Sequence, residues 1–226
     1  MCSSDLWNLG NGASSSASSI TYTYTNPGNY NIQLIAAAPN GCSDTASADV
    51  TVLQTPSVNF SINDTSQCLN NNTFNFNNLS AFPSGTLSYK WLFGDGDSSS
   101  SVSPTHNYKS PGNYIVKLIA TASNGTKDSA SVEIIVYNVP NASFTINNNI
   151  QNLPANAFII TNTSNIVTGA GPLSFKWNLG NGASSSASSL TYTYTNPGNY
   201  NIQLIAAAPN GCSDTASADV TVLQTP

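Results

Sequence analysis

The chain has 226 residues, of which 7% are charged, and a formal net charge of −5 at pH 7. Its basic residues are five lysines, and nucleic-acid binding needs clustered cations to neutralise phosphates, so the composition excludes that function. The sequence has no apolar run of about 18 residues, so we predict no membrane-spanning segment. A surface rich in Ser, Thr and Asn but poor in charge is typical of a secreted or cell-surface protein.

One segment, which starts at a tryptophan and ends in a Pro-Gly-Asn-Tyr turn, occurs three times at intervals of about 85 residues. A period of this length indicates a tandem array of modules. Residues 7–56 and 177–226 differ only at Ile20 against Leu190, so the true repeat is a pair of unlike modules. We divide the chain into a partial module 1 (residues 1–56) and two whole modules, module 2 (57–139) and module 3 (140–226).

Module 1 begins in the middle of a strand and lacks the first two strands of the others. Its strands at residues 30–36 and 46–52 should therefore leave an apolar face and sheet edges uncovered. We expect this half-module to be disordered, loosely packed or covered by another chain. Residues 1–6 differ from residues 171–176 at nearly every position, so we interpret them as foreign to the repeat and Cys2 as structurally uninformative.

In modules 2 and 3, apolar and polar residues alternate over short segments that are separated by Gly, Pro and Asn turns. The clearest strands are residues 58–62, 74–76, 87–93, 114–120 and 130–136 of module 2, and residues 144–146, 158–160, 173–177, 200–206 and 216–222 of module 3. Without helical periodicity, this pattern predicts an all-β fold of sandwiches. The short, proline-containing linkers predict an elongated array with limited bending.

The motif W-x-F-G-D-G, followed by H-x-Y-x-x-P-G-x-Y, resembles the PKD domain, an immunoglobulin-like β-sandwich. Module 2 carries the motif at Trp91, Phe93, Gly94, Asp95, Gly96, His106, Tyr108, Pro111, Gly112 and Tyr114. Modules 1 and 3 keep the tryptophan, as Trp7 and Trp177, but have Leu for Phe, Asn for Asp and Tyr for His. The resemblance implies that these tryptophans lie in sandwich cores. It also implies a spacer or adhesive role, because PKD-like domains are mostly parts of surface proteins and secreted enzymes.

Three cysteines remain after Cys2. In a sandwich of this type, Cys42 and Cys212 lie past a turn that faces the preceding module, whereas Cys68 lies at the end that faces the next module. A disulfide needs Cα atoms within about 7 Å, and Cys42 is too far from Cys68. We therefore predict a Cys68–Cys212 disulfide that clamps the junction of modules 2 and 3, with free thiols as the alternative. Cys42 would pair with a module upstream.

We predict no enzymatic activity, no catalytic residue and no cofactor. The one histidine, His106, is expected to bond backbone near its turn, and modules 1 and 3 lack it. Acid–base catalysis needs paired carboxylates in a cleft. Asp95 and Asp97 could form such a pair in module 2, but modules 1 and 3 have Asn11 and Asn181 at the first of these positions. Asp95 and Asp97 are weak calcium candidates, because a turn residue that bonds its own backbone explains Asp95 better.

The triplets Asp-Thr-Ala and Asp-Ser-Ala resemble the O-glycosylation signal of the Bacteroidota, with Thr45, Ser129 and Thr215 as acceptors; an exposed hydroxyl on a strand is the alternative. We interpret the chain as a structural spacer or adhesive stalk of a large, secreted, extracellular bacterial surface protein of that kind. Its partners would be neighbouring modules, surface glycans or other cell-surface proteins. The alternative is a carbohydrate-binding accessory module of a secreted polysaccharide hydrolase, which would need solvent-facing aromatic side chains.

Overall fold

The computed structural model describes residues 4–167 and 171–224, and its regular structure consists of 20 strands. Module 1 contains β1 (Ser4–Asn8), β2 (Ser14–Ser15), β3 (Gly28–Ala37) and β4 (Ser43–Val52). Module 2 contains β5 (Phe60–Ile62), β6 (Ser66–Cys68), β7 (Phe74–Asn78), β8 (Leu87–Leu92), β9 (Ser98–Ser99), β10 (Thr105–His106), β11 (Gly112–Ala122) and β12 (Lys127–Tyr137). Module 3 contains β13 (Phe144–Ile146), β14 (Ile150–Asn152), β15 (Phe158–Asn162), β16 (Ser174–Asn178), β17 (Ser184–Ser185), β18 (Leu190–Tyr192), β19 (Gly198–Ala207) and β20 (Ser213–Leu223).

Modules 2 and 3 are two-sheet sandwiches with the same topology. In module 2, a three-stranded sheet (β10-β7-β5) packs on a five-stranded sheet (β6-β12-β11-β8-β9). In module 3, the corresponding sheets are β13-β15-β18 and β14-β20-β19-β16-β17. The predicted all-β fold class is confirmed. No helix long and apolar enough to cross a membrane occurs in the part of the chain that the structure describes.

Each whole module has its own core, centred on its tryptophan. Trp91 lies opposite Leu118 across β8 and β11, and Trp177 lies opposite Leu204 across β16 and β19. Both indole rings have no exposed surface. Alternate residues of the facing sheets fill the rest of the core, as the period of two requires. The two cores are separate clusters, so each module buries its apolar side chains without help from the other.

Module 1 forms only one sheet, in the order β2-β1-β3-β4, and no second sheet covers it within the described residues. Trp7 is therefore half-buried, not a core residue as its motif position predicted. It lines an open apolar depression together with Ile32, Leu34, Ala46 and Ala48. The uncovered apolar face that we expected is present, although its strands are regular and paired.

Residues 4–6, which we interpreted as foreign to the repeat, nevertheless continue β1. The register Ser4↔Ala37 in module 1 matches Ser174↔Ala207 in module 3. Strand pairing uses backbone groups, so the different side chains do not prevent it. Cys2 lies outside the described residues.

Two short parallel strands were absent from the sequence-based assignment. β6 runs parallel to β12, with Gln67 opposite Val136, and β14 runs parallel to β20, with Gln151 opposite Val222. Their sequences are mostly polar and do not alternate, because they lie at the sheet edge. They matter for the site described next, since β6 ends at Cys68.

Candidate functional site at the module junctions

The junction of modules 2 and 3 is closed by a disulfide between Cys68 and Cys212, whose Cα atoms are 5.6 Å apart. Parallel pairing puts Cys68 beside Tyr137, the last residue of β12, so the thiol lies at the end of module 2. The Leu69 N–H donates to the Tyr137 carbonyl at 2.9 Å, and this bond holds the end of β6 against the end of β12. The predicted bridge is therefore present and spans 144 residues of sequence.

On the other side of this junction, a tight turn positions Cys212. The Ala208 N–H donates to the Cys212 carbonyl at 2.8 Å, and the side-chain oxygen of Asn210 accepts from the Cys212 N–H at 3.1 Å. Gly211 has a φ of 90°, a conformation that favours glycine. Cys212 itself has no exposed surface.

The junction of modules 1 and 2 uses the same turn without a disulfide. Thr126 stands where module 3 has Cys212, and its hydroxyl donates to the Gln54 carbonyl at 2.9 Å. The side-chain amide of Asn124 donates to the same carbonyl at 2.8 Å. Pro56, in the linker, is buried. At both junctions, therefore, the residue after this turn contacts the preceding module.

The Gly-Asp-Gly turn of module 2 is a second site with chemistry to consider. His106 Nε2 lies 2.7 Å from Asp95 Oδ2, and the imidazole stacks on Phe93 with ring centroids 4.0 Å apart. His106 thus contacts a carboxylate, not backbone as we expected. Asp95 also accepts from the Asp97 N–H at 3.1 Å, which is the turn bond predicted for it.

The environment of Asp95 lowers the pKa of its carboxyl. Burial raises that pKa, but the hydrogen bonds from His106 and from the Asp97 N–H, together with the charge of His106, lower it by more. Modules 1 and 3 keep the contact without charge: Asn11 donates to the Tyr22 hydroxyl, and Asn181 to the Tyr192 hydroxyl, each at 2.9 Å. Because this side-chain contact is present in all three modules, with or without a carboxylate, we infer that its role is to hold the turn.

The calcium hypothesis for Asp95 and Asp97 stays a prediction. One potential ligand atom from each of Asp95, Asp97 and His106 lies within 4.8 Å of the others. Calcium prefers oxygen ligands, however, and His106 offers nitrogen. Lys109 lines the same depression, and its positive charge opposes cation binding.

A tyrosine two residues beyond this contact secures the same corner in all three modules. The hydroxyl of Tyr108 donates to the Phe93 carbonyl and that of Tyr194 to the Leu179 carbonyl, each at 2.7 Å. Tyr24 makes the same bond to Leu9 at 2.8 Å. Burial, followed by the neighbouring Tyr192 and Tyr200, raises the pKa of Tyr194 to about 12, so the hydroxyl stays a donor. Burial likewise raises the pKa of Tyr108.

Two buried asparagines, which the sequence reasoning missed, connect these corners to the three-stranded sheets, at the start of β7 and of β15. Asn72 accepts from the Tyr108 N–H at 2.8 Å and donates to the Tyr108 carbonyl at 2.9 Å. Asn156 makes the same pair of bonds to Tyr194. In the sequence, each of them stands two residues before a core phenylalanine, Phe74 or Phe158. In a chain this rich in Asn, that position does not distinguish them from other asparagines.

The tryptophans offer no face for sugar stacking in modules 2 and 3. Their indole N–H groups donate to backbone carbonyls, Trp91 to Ser101 at 3.1 Å and Trp177 to Ala187 at 2.9 Å. The predicted glycosylation acceptors Thr45, Ser129 and Thr215 are exposed on the last strand of their modules. Exposure is what modification requires, and the modification itself stays a prediction.

A family model for the PKD domain matches the chain three times, over residues 4–52, 54–136 and 139–222. Among solved structures, the PKD1 domain of Vibrio anguillarum Epp is 31% identical and covers 37% of this chain and 94% of its own, with a TM-score of 0.33. The PKD1 domain of the Vibrio cholerae metalloprotease PrtV is 30% identical and covers 37% of this chain and 98% of its own, also with a TM-score of 0.33.

The eight N-terminal immunoglobulin domains of the Down Syndrome Cell Adhesion Molecule are 14% identical and cover 98% of this chain and 33% of their own, with a TM-score of 0.58. At that identity, the likeness shows the fold alone: tandem immunoglobulin-like sandwiches, as predicted. No curated protein sequence matches the chain.

Proposed function

The chain belongs to the PKD domain family, and from that premise we propose that it is a structural spacer or adhesive stalk of a large, secreted bacterial surface protein, of the kind found in the Bacteroidota. The observation that carries the proposal is the disulfide between Cys68 and Cys212, which joins two modules with separate cores. Its partners would be neighbouring modules of the array and surface glycans or other cell-surface proteins.

A spacer needs modules that fold as independent units and junctions that resist bending. Contacts between domains of one chain usually permit relative motion unless the interface is large and apolar. Here the linker is short, and the Cys68–Cys212 bond adds a second covalent connection between the same two modules. Because each module has its own core, the bond acts mainly on the angle between the modules and little on the folding of either one.

The same bond supports an extracellular location. Disulfides persist in oxidising compartments and are rare in reducing ones. A surface with few charges and many Ser, Thr and Asn side chains agrees with that location. The alternative of a carbohydrate-binding accessory module gains no support from Trp91 and Trp177, because both rings are buried.

Small-angle X-ray scattering of the full chain tests the proposal. A compact globule of this length would have a radius of gyration of about 17 Å, and we expect a clearly larger value with a rod-like distance distribution. The variant Cys68→Ser/Cys212→Ser should keep its circular dichroism spectrum but give a broader distribution. A radius of gyration near that of a globule would contradict the stalk, and specific binding on a polysaccharide array by modules 2 and 3 would favour the alternative.

A further inference from the structure

The turn that places Cys212 has the same geometry in all three modules. The residues after it are Cys42, Thr126 and Cys212, and each carbonyl accepts from an alanine N–H at 2.8–2.9 Å. An asparagine side chain caps the N–H of each of these residues at 3.1 Å. Since the backbone is held alike, the three positions can be compared directly.

Two of these three positions contact the preceding module. Thr126 hydrogen-bonds to Gln54, in the linker at the end of module 1, and Cys212 is bonded to Cys68 of module 2. The third, Cys42, is exposed and has no disulfide partner among the described residues. Cys42 and Cys212 lie in the same surrounding sequence, so their different burial comes from their neighbours.

We propose that the Cys42 turn (residues 38–42) is a docking surface for the end of a β-sandwich module of the module 2 type, and that a cysteine at the position of Cys68 in that module forms a disulfide with Cys42. The partner must carry a β6-like edge strand that ends in cysteine, as in module 2. The proposal rests on the proposed function in one respect, since both treat modules as units joined end to end.

The chemistry at each end restricts which module can dock. At the position of Cys68, paired with the end of the last strand, module 3 has Asn152 opposite Leu223. Asparagine cannot form a disulfide, so a module of the module 3 type cannot close this bond. At the turn, module 2 has Thr126 and only modules 1 and 3 have cysteine. The sequence therefore pairs one type of end with one type of turn.

The surface around Cys42 suits a protein partner. Cys42 lies in an apolar depression with Ala36 and Ala38, and all three residues are exposed. Covering them would remove apolar surface from water, which favours association. The bond itself forms between two thiols, which lose two protons and two electrons. A small-molecule disulfide such as oxidised glutathione accepts them and leaves as two thiols.

The test uses two versions of the full chain. The acceptor is Cys2→Ser, which keeps Cys42 free and the Cys68–Cys212 bond closed. The donor is Cys2→Ser/Cys42→Ser/Cys212→Ala, which keeps Cys68 as its only thiol. The two are mixed at equal concentration in a glutathione redox buffer, and the linked peptides are measured by mass spectrometry without reduction. Residues 54–139 alone serve as a second donor, in which no module 3 shields Cys68, once circular dichroism shows that they are folded.

The matched control acceptor is Cys2→Ser/Cys42→Ser/Ser47→Cys, which moves the thiol to another exposed position of module 1. We expect the link between Cys42 and Cys68 to exceed the link formed by the relocated thiol of the control by at least about tenfold with either donor. The proposal would be overturned if the Cys42 acceptor and the control acceptor gave equal yields of linked peptide with both donors. A predominant Cys42 to Cys42 dimer of the acceptor would overturn it too. Such a failure beside a rod-like scattering profile would leave the stalk intact, whereas a globular profile would remove the stalk itself.

Discussion

The His106 imidazole lies against the Asp95 carboxyl across the Gly-Asp-Gly turn of module 2, with 2.7 Å between Nε2 and Oδ2. In modules 1 and 3 the same contact joins an asparagine to a tyrosine hydroxyl. One structural position thus carries a carboxyl against an imidazole in one module type and an amide against a phenol in the other. The position holds a turn in both, and only module 2 makes that turn sensitive to pH.

Asp95→Asn should lower the stability of module 2 at pH 7 by less than about 1 kcal/mol, because the pair is partly exposed. The pKa of Asp95 is lower in the folded state, so its contribution is present at neutral pH and is lost as the pH falls through that lowered pKa. Urea unfolding of the two proteins should therefore converge in acid. Asp97→Asn, in the same turn, keeps the contact between Asp95 and His106 and is the control: it should still lose stability in acid, as the unsubstituted protein does. If the difference in unfolding free energy between Asp95→Asn and the unsubstituted protein did not change with pH, the lowered pKa of Asp95 would be contradicted.

The identical strands β3 and β19 should exchange amide hydrogens at very different rates. β19 is covered by the second sheet of module 3, and β3 has no such cover in the described chain. We expect exchange in β3 to be at least about 100-fold faster, which corresponds to a difference of roughly 3 kcal/mol in opening free energy. Because the peptides have the same mass, the exposed Thr25→Ser distinguishes them in mass spectrometry. Comparable protection in a proven monomer would show that module 1 needs no cover.

Gly94→Ala should destabilise module 2 more than Gly96→Ala. Both glycines have positive φ, 87° and 101°, so alanine is strained at either position. A Cβ at Gly94 would also lie 2.9 Å from the Ile115 carbonyl oxygen, whereas one at Gly96 would meet nothing within 4 Å. We expect a loss of about 1 kcal/mol for Gly96→Ala and about twice as much or more for Gly94→Ala. Chemical denaturation of the two variants measures these losses of unfolding free energy. Equal losses would contradict the close approach of Gly94 to the Ile115 carbonyl.

Asn72→Ala should cost module 2 about 2–4 kcal/mol, because it leaves the buried N–H and carbonyl of Tyr108 without partners. Asn77→Ala, on the exposed face of β7, is the matched control and should change stability by less than about 0.5 kcal/mol. Thermal or urea unfolding measures both. A small effect at Asn72 would mean that water can replace its side chain.

Much of the fold follows from local pattern. The alternation around Trp91 and Trp177 predicts which face of each strand is buried, since side chains of a strand point to opposite sides. The turn chemistry around Gly94 and Gly211 follows from the need for positive φ. Even the pairing of Cys68 with Cys212 could be predicted, because the order of strands determines the end of the module at which each cysteine lies.

What the sequence by itself determined, then, is the strand pattern, the repeat and the end of each module at which a thiol lies. Only the tertiary structure decided the rest. Trp7 and Trp177 share their downstream sequence, yet one is half-buried and the other fully buried. The reason is that burial depends on whether a second sheet covers the first. The partner of His106 and the buried role of Asn72 likewise depend on residues distant in sequence that only the folded chain brings together.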